Sequence, residues 1–424
     1  MKRKVILTTV SIVVLLLTVG LIEQHQIRAL DSTPQPKTKS VQVSSEEEMS
    51  PEEKLVVGNT KFAFNLFQEI LKQDSQENVF ISPSSIAFAL AMTYNGAEGK
   101  TQQEMLATLQ LLGMSDAEIN SANQALIQSL ETVDSQVKIS IANSIWARDD
   151  VAFKSPFLDT NRQFYDATVR RLDFSEPRSP EIINSWVSEK TQGKIPEVVE
   201  SLQPDDTLLL INAIYFLGKW TNKFDSSQTI KQPFFLADGS TKQHPLMSNS
   251  GEYGYYENDQ FQGVNIPYGQ GRLSMYVFLP RPESNLKEFN QQLTPENWEE
   301  WLKQFSLRTG NIKLPRFKLE YEIGLKETLQ SMGMEVAFNR FKADFSSMSE
   351  IPVAIDEVKH KTFVEVDEEG TEAAAVTSTV MARTTSISLA PPFQMRVDRP
   401  FFFAIQDNQT GTILFMGSIL EPKL

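Results

Sequence analysis

The apolar positions of this chain change from a helical period to strand-like runs as the sequence proceeds. Apolar residues recur at helical spacing over residues 56–71, and a second apolar run at 86–92 follows Ser82-Pro83-Ser84-Ser85, a combination typical of a helix N-terminus. Later runs predict strands at residues 137–142, 207–216, 273–279, 311–314, 362–366, 400–405 and 412–417. Further helical patterns lie at residues 181–191, 286–293 and 323–332. The order predicts a mixed α/β (α+β) fold with large, mostly antiparallel sheets.

Residues 367–377 join two of these strands, yet they lack the composition of a permanent loop. They read Asp-Glu-Glu-Gly-Thr-Glu-Ala-Ala-Ala-Val-Thr, and no proline follows Gly370 until Pro391. Proline is avoided inside sheets because it removes a ladder hydrogen bond, and alanines are easily buried. Composition alone fits a surface linker equally well, but the flanking strands place the segment inside the domain. The pattern therefore favours an exposed segment that is able to become a central strand.

Composition and charge narrow the classes of function. The chain has 424 residues, which suits one large domain or two ordinary ones. Its formal net charge of −14 argues against nucleic acid as a main partner, because nucleic acids bind basic surfaces. The absence of cysteine excludes disulfides, thiolate nucleophiles and cysteine metal sites.

The N-terminus has the pattern of an export signal. Three basic residues, Lys2, Arg3 and Lys4, precede an uncharged apolar run over residues 5–22. This run is long for a cleaved signal and just long enough to span a bilayer. Residues 1–30 are therefore predicted to be a signal peptide or a membrane anchor, and either one places the body outside the cytoplasm, secreted or anchored. Residues 31–54 are predicted to form a polar linker, and residues 55–424 a single domain.

Catalytic and metal-binding signatures are absent from the sequence. The only histidines are His25, His244 and His360, and neither of the last two lies in a catalytic motif. There is no zinc-type His-Glu-x-x-His motif and no phosphate-binding glycine loop, since residues 251–254 read as an ordinary loop. The sequence predicts that the protein is not an enzyme and uses neither a metal nor a cofactor.

Seven segments, spread over residues 55–424, together resemble the serpin family of protease inhibitors. They are residues 78–85, 95–101, 184–195, 210–220, 314–317 (Leu-Pro-Arg-Phe), 368–376 and 398–401. The resemblance implies a serpin fold of three β-sheets with about nine helices, and an exposed reactive-centre loop at about residues 368–397. It also implies a suicide substrate, in which a target serine protease cleaves the loop. The cleaved loop then inserts into the sheet called A and traps the covalent acyl-enzyme. Some cysteine proteases are also implied as targets.

The resemblance assigns a hinge to the start of the loop, where insertion begins. The hinge consists of Glu368, Glu369, Gly370, Thr371, Glu372, Ala373, Ala374, Ala375 and Val376. Alternation along a strand predicts that positions 371, 373 and 375 turn into the core. Non-inhibitory members of the family tend to carry larger, charged or proline residues at such positions, whereas this sequence has only small ones.

Two positions remain open for the scissile bond. Family spacing places it between Thr384 and Thr385, which suggests an elastase-like or subtilisin-like target. The alternative is the bond between Arg383 and Thr384, because Arg383 is the only basic residue between Gly370 and Pro391. That bond would suit a trypsin-like protease.

Six further residues match positions that control sheet opening in the family. They are Ser82, Ser85, Asn212, His360, Trp220 and Arg316. The first four match a polar cluster beneath sheet A, Trp220 lies where insertion begins, and Arg316 is implied to pair with Glu368. The same residues also fit ordinary buried polar groups and a large core side chain. One hypothesis follows: protonation of a buried His360 loosens the sheet at acid pH, within the range of about pH 5–8 where histidine titrates.

The expected activity is inhibition of serine-type endopeptidases by a monomer. Residues 105–131, where heparin-regulated members carry a basic helix, contain no lysine or arginine, so glycosaminoglycan activation is not expected. The alternative is a non-inhibitory serpin that acts as a binding or chaperone protein. Such a protein would be cleaved without trapping the protease.

Overall fold

The computed structural model describes residues 49–132, 135–371 and 391–424 of the chain. Residues from Ser50 to Leu424 form one compact unit, with nine α-helices and fifteen strands among the described residues. The helices are α1 (Pro51–Gln73), α2 (Pro83–Tyr94), α3 (Gly99–Thr108), α4 (Asp116–Glu131), α5 (Ser155–Tyr165), α6 (Ser179–Lys190), α7 (Leu286–Gln291), α8 (Pro295–Gln304) and α9 (Lys326–Ser331). None of these helices is long and apolar enough to cross a membrane.

The strands alternate with helices in the first half of the chain and dominate the second half. They are β1 (Val79–Ile81), β2 (Val137–Arg148), β3 (Thr168–Leu172), β4 (Leu208–Lys219), β5 (Ile230–Phe235), β6 (Thr241–Glu257), β7 (Phe261–Pro267), β8 (Leu273–Pro280), β9 (Ser306–Pro315), β10 (Phe317–Gly324), β11 (Glu357–Val366), β12 (Gly370–Thr371), β13 (Phe393–Arg396), β14 (Phe401–Asp407) and β15 (Ile413–Ile419). The predicted mixed α/β class and the predicted number of helices are confirmed.

The first helix begins four residues before the domain start that the sequence suggests. Ser50 and Glu53 form a capping box, in which the Ser50 hydroxyl accepts from the Glu53 amide (3.2 Å) and the Glu53 carboxylate accepts from the Ser50 amide (2.8 Å). A cap of this kind satisfies amides that have no partner within the helix. Residues 51–54, assigned to the linker on their polar composition, therefore belong to α1.

The strands form two hydrogen-bonded sheets among the described residues. The six-stranded sheet has the order β10-β11-β12-β4-β2-β3, and β11 also pairs directly with β4 in parallel. The nine-stranded sheet contains the remaining strands. Three sheets are expected from the resemblance, but β6 is 17 residues long and pairs in turn with β5, β9 and β7. It therefore links what would otherwise be two separate sheets.

Two apolar clusters cover the opposite faces of the six-stranded sheet. On the inner face, Leu208, Leu210, Ile214 and Phe216 of β4 join the main core. On the outer face, the side chains that alternate with them, such as Ile211 and Ala213, pack in a smaller cluster with Ile183, Trp186 and Val187 of α6. These two faces determine what any further strand in this sheet would contact.

Two local predictions are wrong, and long-range packing is the reason for each. Residues 251–254, read as a loop, lie within β6, where Gly251 pairs with Gly310 of β9. The Phe393 ring covers Gly310, so that a Cβ there would collide with the ring. The helix expected at 323–332 is shorter, because β10 continues to Gly324 in its pairing with β11 and α9 begins only at Lys326.

Candidate functional site

The site lies at the centre of the six-stranded sheet, where β4 and β11 run side by side. Their parallel pairing, called the seam below, extends from Glu357 opposite Leu209 to Phe363 opposite Tyr215. Past Phe363 the two strands separate, and β12 occupies the space between them at what we call the upper end. Thr371 pairs with Val366 on one side and with Gly218 on the other. The first strand residues of the predicted hinge are therefore already part of the sheet.

A tight turn returns the chain into this gap. The Asp367 carboxylate accepts from the amides of Glu369 (2.9 Å) and Gly370 (3.1 Å), and the Asp367 amide donates to the Gly370 carbonyl (2.9 Å). Burial raises the pKa of Asp367. Gly370 then passes so close to β4 that a Cβ would lie 2.7 Å from the Lys219 Cα and collide with the Gly218 carbonyl oxygen. Glycine is required here because of this close approach.

Thr371 is fully buried, and its hydroxyl forms a hydrogen bond with the hydroxyl of Tyr268. The hydroxyls of Thr371 and Tyr268 lie 2.7 Å apart. The Tyr268 ring stacks on Trp220 with centroids 4.4 Å apart, and the Trp220 indole donates to the Asp367 carbonyl (2.9 Å). Burial raises the pKa of Tyr268, so its hydroxyl stays protonated. Sequence reasoning missed Tyr268, because nothing local to residue 268 indicates a contact with a residue 103 positions away.

The two glutamates of the turn are held by neighbouring segments. Glu368 accepts from the Thr229 hydroxyl (2.6 Å) and forms an ion pair with Arg316 at 3.6 Å. Glu369 pairs with Lys223 at 3.3 Å. The structure thus brings together the Arg316–Glu368 pair that the resemblance implies, and adds Thr229 and Lys223. Because Arg316 and Lys223 are partly exposed, these pairs orient the turn more than they stabilise the fold.

The four polar residues expected beneath the sheet meet around His360 on the inner side of the seam. His360 and Asn212 are direct cross-strand partners, and both are fully buried. The Ser82 amide donates to His360 Nε2 (3.1 Å), so this nitrogen carries no proton and Nδ1 must donate to the Asn212 carbonyl oxygen. The Asn212 amide then donates to Ser85 and Asn143. The cluster thus joins β2, β4, β11 and the N-terminus of α2.

This cluster requires neutral His360. Protonated Nε2 would point a second donor at the Ser82 amide, and burial lowers the pKa of His360 to about 3. Among the described residues, burial alone accounts for this shift in the pKa. The closed sheet therefore keeps His360 neutral throughout the pH range in which histidine ordinarily titrates. Any coupling between acid and sheet opening must act through an opened state, in which His360 meets water.

The remaining predicted site residues lie outside the described residues. They are Glu372, Ala373, Ala374, Ala375 and Val376 of the hinge, and Arg383, Thr384 and Thr385 of the two candidate scissile bonds. The predicted signal or anchor at residues 1–30 also lies outside them.

Comparison with known proteins identifies the fold and its relatives. The family model described as "Serpin (serine protease inhibitor)" matches residues 57–422. An uncharacterized serpin-like protein of Thermococcus kodakarensis is 33% identical over 433 residues, covering 100% of both chains. The human leukocyte elastase inhibitor is 35% identical over 383 residues, covering 87% of this chain and 100% of that protein.

Solved structures agree with this assignment. The native state of tengpin, a thermophilic serpin, superposes with a TM-score of 0.80 at 33% identity, covering 89% of this chain and 96% of that one. Human thyroxine-binding globulin, solved with its ligand, superposes with a TM-score of 0.81 at 27% identity, covering 88% of this chain and 100% of that one. Of the relatives compared here, one is thus named as an inhibitor and one as a binding protein. The chain therefore belongs to the serpin family and is not an enzyme.

Proposed function

We propose that the protein inhibits serine proteases as a suicide substrate, and that its cleaved loop inserts into the seam. The observation that carries this proposal is the position of β12. Thr371 already pairs with both strands that the loop would have to separate, and Gly370 pairs with β4. Cleavage would free the residues that follow to continue the same ladder.

The register of β12 indicates where the following residues would lie. Gly370 pairs with Lys219 and Thr371 with Gly218, so each step along the loop is one step back along β4. Residue 373 would then face Phe216, 375 would face Ile214, and 377 would face Asn212. Phe216 and Ile214 belong to the main core, and the loop has alanines opposite both of them. The small side chains thus occur at the positions that would face the buried core.

The driving force for insertion is comparable with the stability of a whole domain. Continuing the register to the first residue of β4, Leu208, adds ten residues beyond Thr371, as far as Met381. Each ladder hydrogen bond contributes about 0.5–1.5 kcal/mol net. The new strand would form one ladder with β4 and one with β11, while the single ladder of the seam would be lost. The net gain would therefore be similar to the roughly 5–15 kcal/mol stability of a typical fold. The uncleaved protein would be metastable and held by a kinetic barrier.

A gel-shift experiment tests this function. The purified protein is mixed separately with trypsin, elastase and subtilisin, and the products are analysed by denaturing electrophoresis and mass spectrometry. We expect a covalent band at the summed mass and a released peptide that begins at Thr385, or at Thr384 if Arg383 precedes the cut. Cleavage by all three proteases without a covalent band or a gain in heat stability would contradict inhibition. That result would favour a binding or chaperone role.

The partners proposed on this basis are target serine proteases, with some cysteine proteases as further targets. A polyanionic activator is not proposed, since α4 and the residues that lead to it carry no lysine or arginine. The protein is proposed to act as a monomer, because one chain supplies both the loop and the seam.

We further propose that the N-terminus exports the protein. The support is the basic start at Lys2, Arg3 and Lys4 and the uncharged apolar run at residues 5–22. We expect the mature protein to fractionate outside the cytoplasm. Its intact mass would then distinguish a removed signal from a retained anchor. Recovery from the cytoplasm with residues 1–30 still attached would contradict export.

A further inference from the structure

A buried carboxylate closes the seam at the end opposite to β12, called the lower end here. Asp356 directly precedes β11, and Thr207 directly precedes β4. One Asp356 oxygen accepts from the Thr207 amide (2.5 Å), the Thr207 hydroxyl (2.9 Å) and the Leu208 amide (3.2 Å). The Asp356 side chain is only 9% exposed. A strand inserted along the whole seam would have to part Asp356 from these donors.

A guanidinium joins the same two sides of the seam a second time. Arg340 donates to the other Asp356 oxygen (2.7 and 3.0 Å), and also to Asp205 (2.8 Å) and Asp206 (3.2 Å), which lie just before β4. Charge-assisted hydrogen bonds of this kind are stronger than bonds between neutral groups. The Arg340 side chain is 44% exposed, however, so water screens its share of the interaction. We call Thr207, Asp356 and Arg340 the lower clamp.

The two halves of the lower clamp belong to parts of the fold that must separate when the seam opens. Thr207 belongs with β2 and β4, because its carbonyl accepts from the Arg148 amide at the end of β2 (3.1 Å). Asp356 belongs with β11 and α9, since its carbonyl accepts from the ammonium of Lys326, the first residue of α9 (3.2 Å). Opening would therefore break the bonds within the clamp and leave these two outer bonds in place.

The two ends of the seam thus differ in what lies between the strands. At the upper end β4 and β11 already lie apart, and Thr371 pairs with each of them. Below it the strands are held by their parallel ladder and by the bond between His360 and Asn212. At the lower end the side chains of Asp356 and Arg340 are added to the ladder. The seam is therefore weakest where β12 enters it and most strongly joined at the far end.

We propose that the lower clamp holds the far end of the seam closed until the last step of loop insertion, and that it limits how fast the intact protein inserts its own loop. This inference deepens the proposed function and rests on it, since it concerns the opening of the same seam. Asp356 is then a positioning residue, which acts through the pairing of β4 with β11. The clamp stabilises the closed sheet only, because its bonds are lost once a strand separates β4 from β11.

The test uses substitutions on each side of the clamp. Thr207→Val removes the hydroxyl but keeps the shape of the side chain, Arg340→Gln removes the guanidinium, and Thr207→Ser keeps the hydroxyl. Hydrogen exchange of the intact proteins, followed by mass spectrometry of peptides from residues 205–212 and 354–361, measures opening of the lower end. Spontaneous conversion of the intact proteins to a heat-resistant form measures insertion. We expect Thr207→Val to accelerate both about tenfold, Arg340→Gln to accelerate both by less, and Thr207→Ser to match wild type.

A matched arginine and the cleaved proteins provide the controls. Arg148 lies at the same end of the sheet but pairs with Asp150 two residues away (2.7 and 3.0 Å), so Arg148→Gln should change neither rate. Cleaved Thr207→Val should unfold in urea at the same rate as cleaved wild type, because the clamp is already broken in the inserted form. Thr207→Val should also trap as much protease as wild type, which a variant with a generally weakened fold would not do.

The possible failures of the inference and of the proposed function are distinguishable. The inference is overturned if intact Thr207→Val exchanges or converts no faster than wild type. It is also overturned if cleavage leaves Thr207→Val as much less stable than wild type as it was before, since the bonds would then not be specific to the closed sheet. The proposed function fails instead if wild type forms no covalent complex and gains no heat stability on cleavage. In that case the role of the clamp in insertion fails with it.

Discussion

Replacement of Thr371 by arginine is expected to abolish the covalent protease complex while leaving cleavage of the loop intact. Thr371 is fully buried in β12, and its hydroxyl lies 2.7 Å from that of Tyr268. A guanidinium at this position would be buried without a partner, at a cost of several kcal/mol. Because Thr371 already lies in the sheet of the intact protein, the guanidinium would displace β12 from its gap and oppose its return. Insertion would therefore slow, and the acyl-enzyme would hydrolyse first. We expect the yield of complex to fall by about 100-fold or more, with the protein consumed as an ordinary substrate.

The matched control places the same side chain one residue further along. Alternation predicts that residue 372 faces outward, so Glu372→Arg should retain most of the complex. Both variants are compared by the ratio of covalent band to cleaved protein on a denaturing gel. If the two variants trap the protease equally well, burial of position 371 does not control insertion.

Acidification is expected to accelerate opening of the seam through His360. The pKa of His360 is about 3 in the closed sheet, against about 6.5 in water. Between these values the opened state binds a proton that the closed state does not, so the closed sheet loses stability as the pH falls from about 6.5 towards 3. Above pH 6.5 neither state binds the proton, and the full stability remains. The expected change is about 1.4 kcal/mol, or tenfold in the opening equilibrium, for each pH unit within this window.

The measurement follows spontaneous conversion of the intact protein to a heat-resistant form between pH 7 and 4. The His360→Gln variant can still offer an oxygen to the Ser82 amide but does not titrate. Its conversion rate should therefore not show the tenfold increase for each pH unit of acidification. The His244→Gln variant should retain it, because His244 bonds to the Arg316 carbonyl outside the seam. If the conversion rates of wild type and His360→Gln change with pH in the same way, His360 is not the group that makes opening sensitive to acid. Carboxylates would then be the source of that sensitivity.

Short-range patterns account for the parts of the fold that the sequence predicts well. Ser82 caps α2 at the predicted position, with Pro83 in the first turn. The strands predicted at residues 400–405 and 412–417 correspond to β14 and β15, which pair through a turn whose residues bond to Asp407. In each case the deciding hydrogen bonds join residues only a few positions apart. The composition of residues 371–377 likewise suffices to suggest a segment that is able to enter a sheet.

Other features depend on residues that are far apart in the chain. Just before β4, Asp205 and Asp206 accept from the Arg340 guanidinium across 135 and 134 positions, and Tyr268 meets Thr371 across 103 positions. Residues 251–254 resemble a loop locally, but pairing with β9 keeps them in a strand. No pattern within a short window encodes these contacts.

The sequence by itself thus determined the family resemblance, the class of fold and the character of residues 371–377 as a segment able to become a strand. Only the tertiary structure decided that this strand begins at Gly370 and Thr371, in a defined register between β11 and β4. The physical reason is that local composition sets what a segment can become. How far it enters the sheet depends on whether β4 and β11 stay paired, and the seam and the His360 cluster hold them together through contacts between residues far apart in the chain.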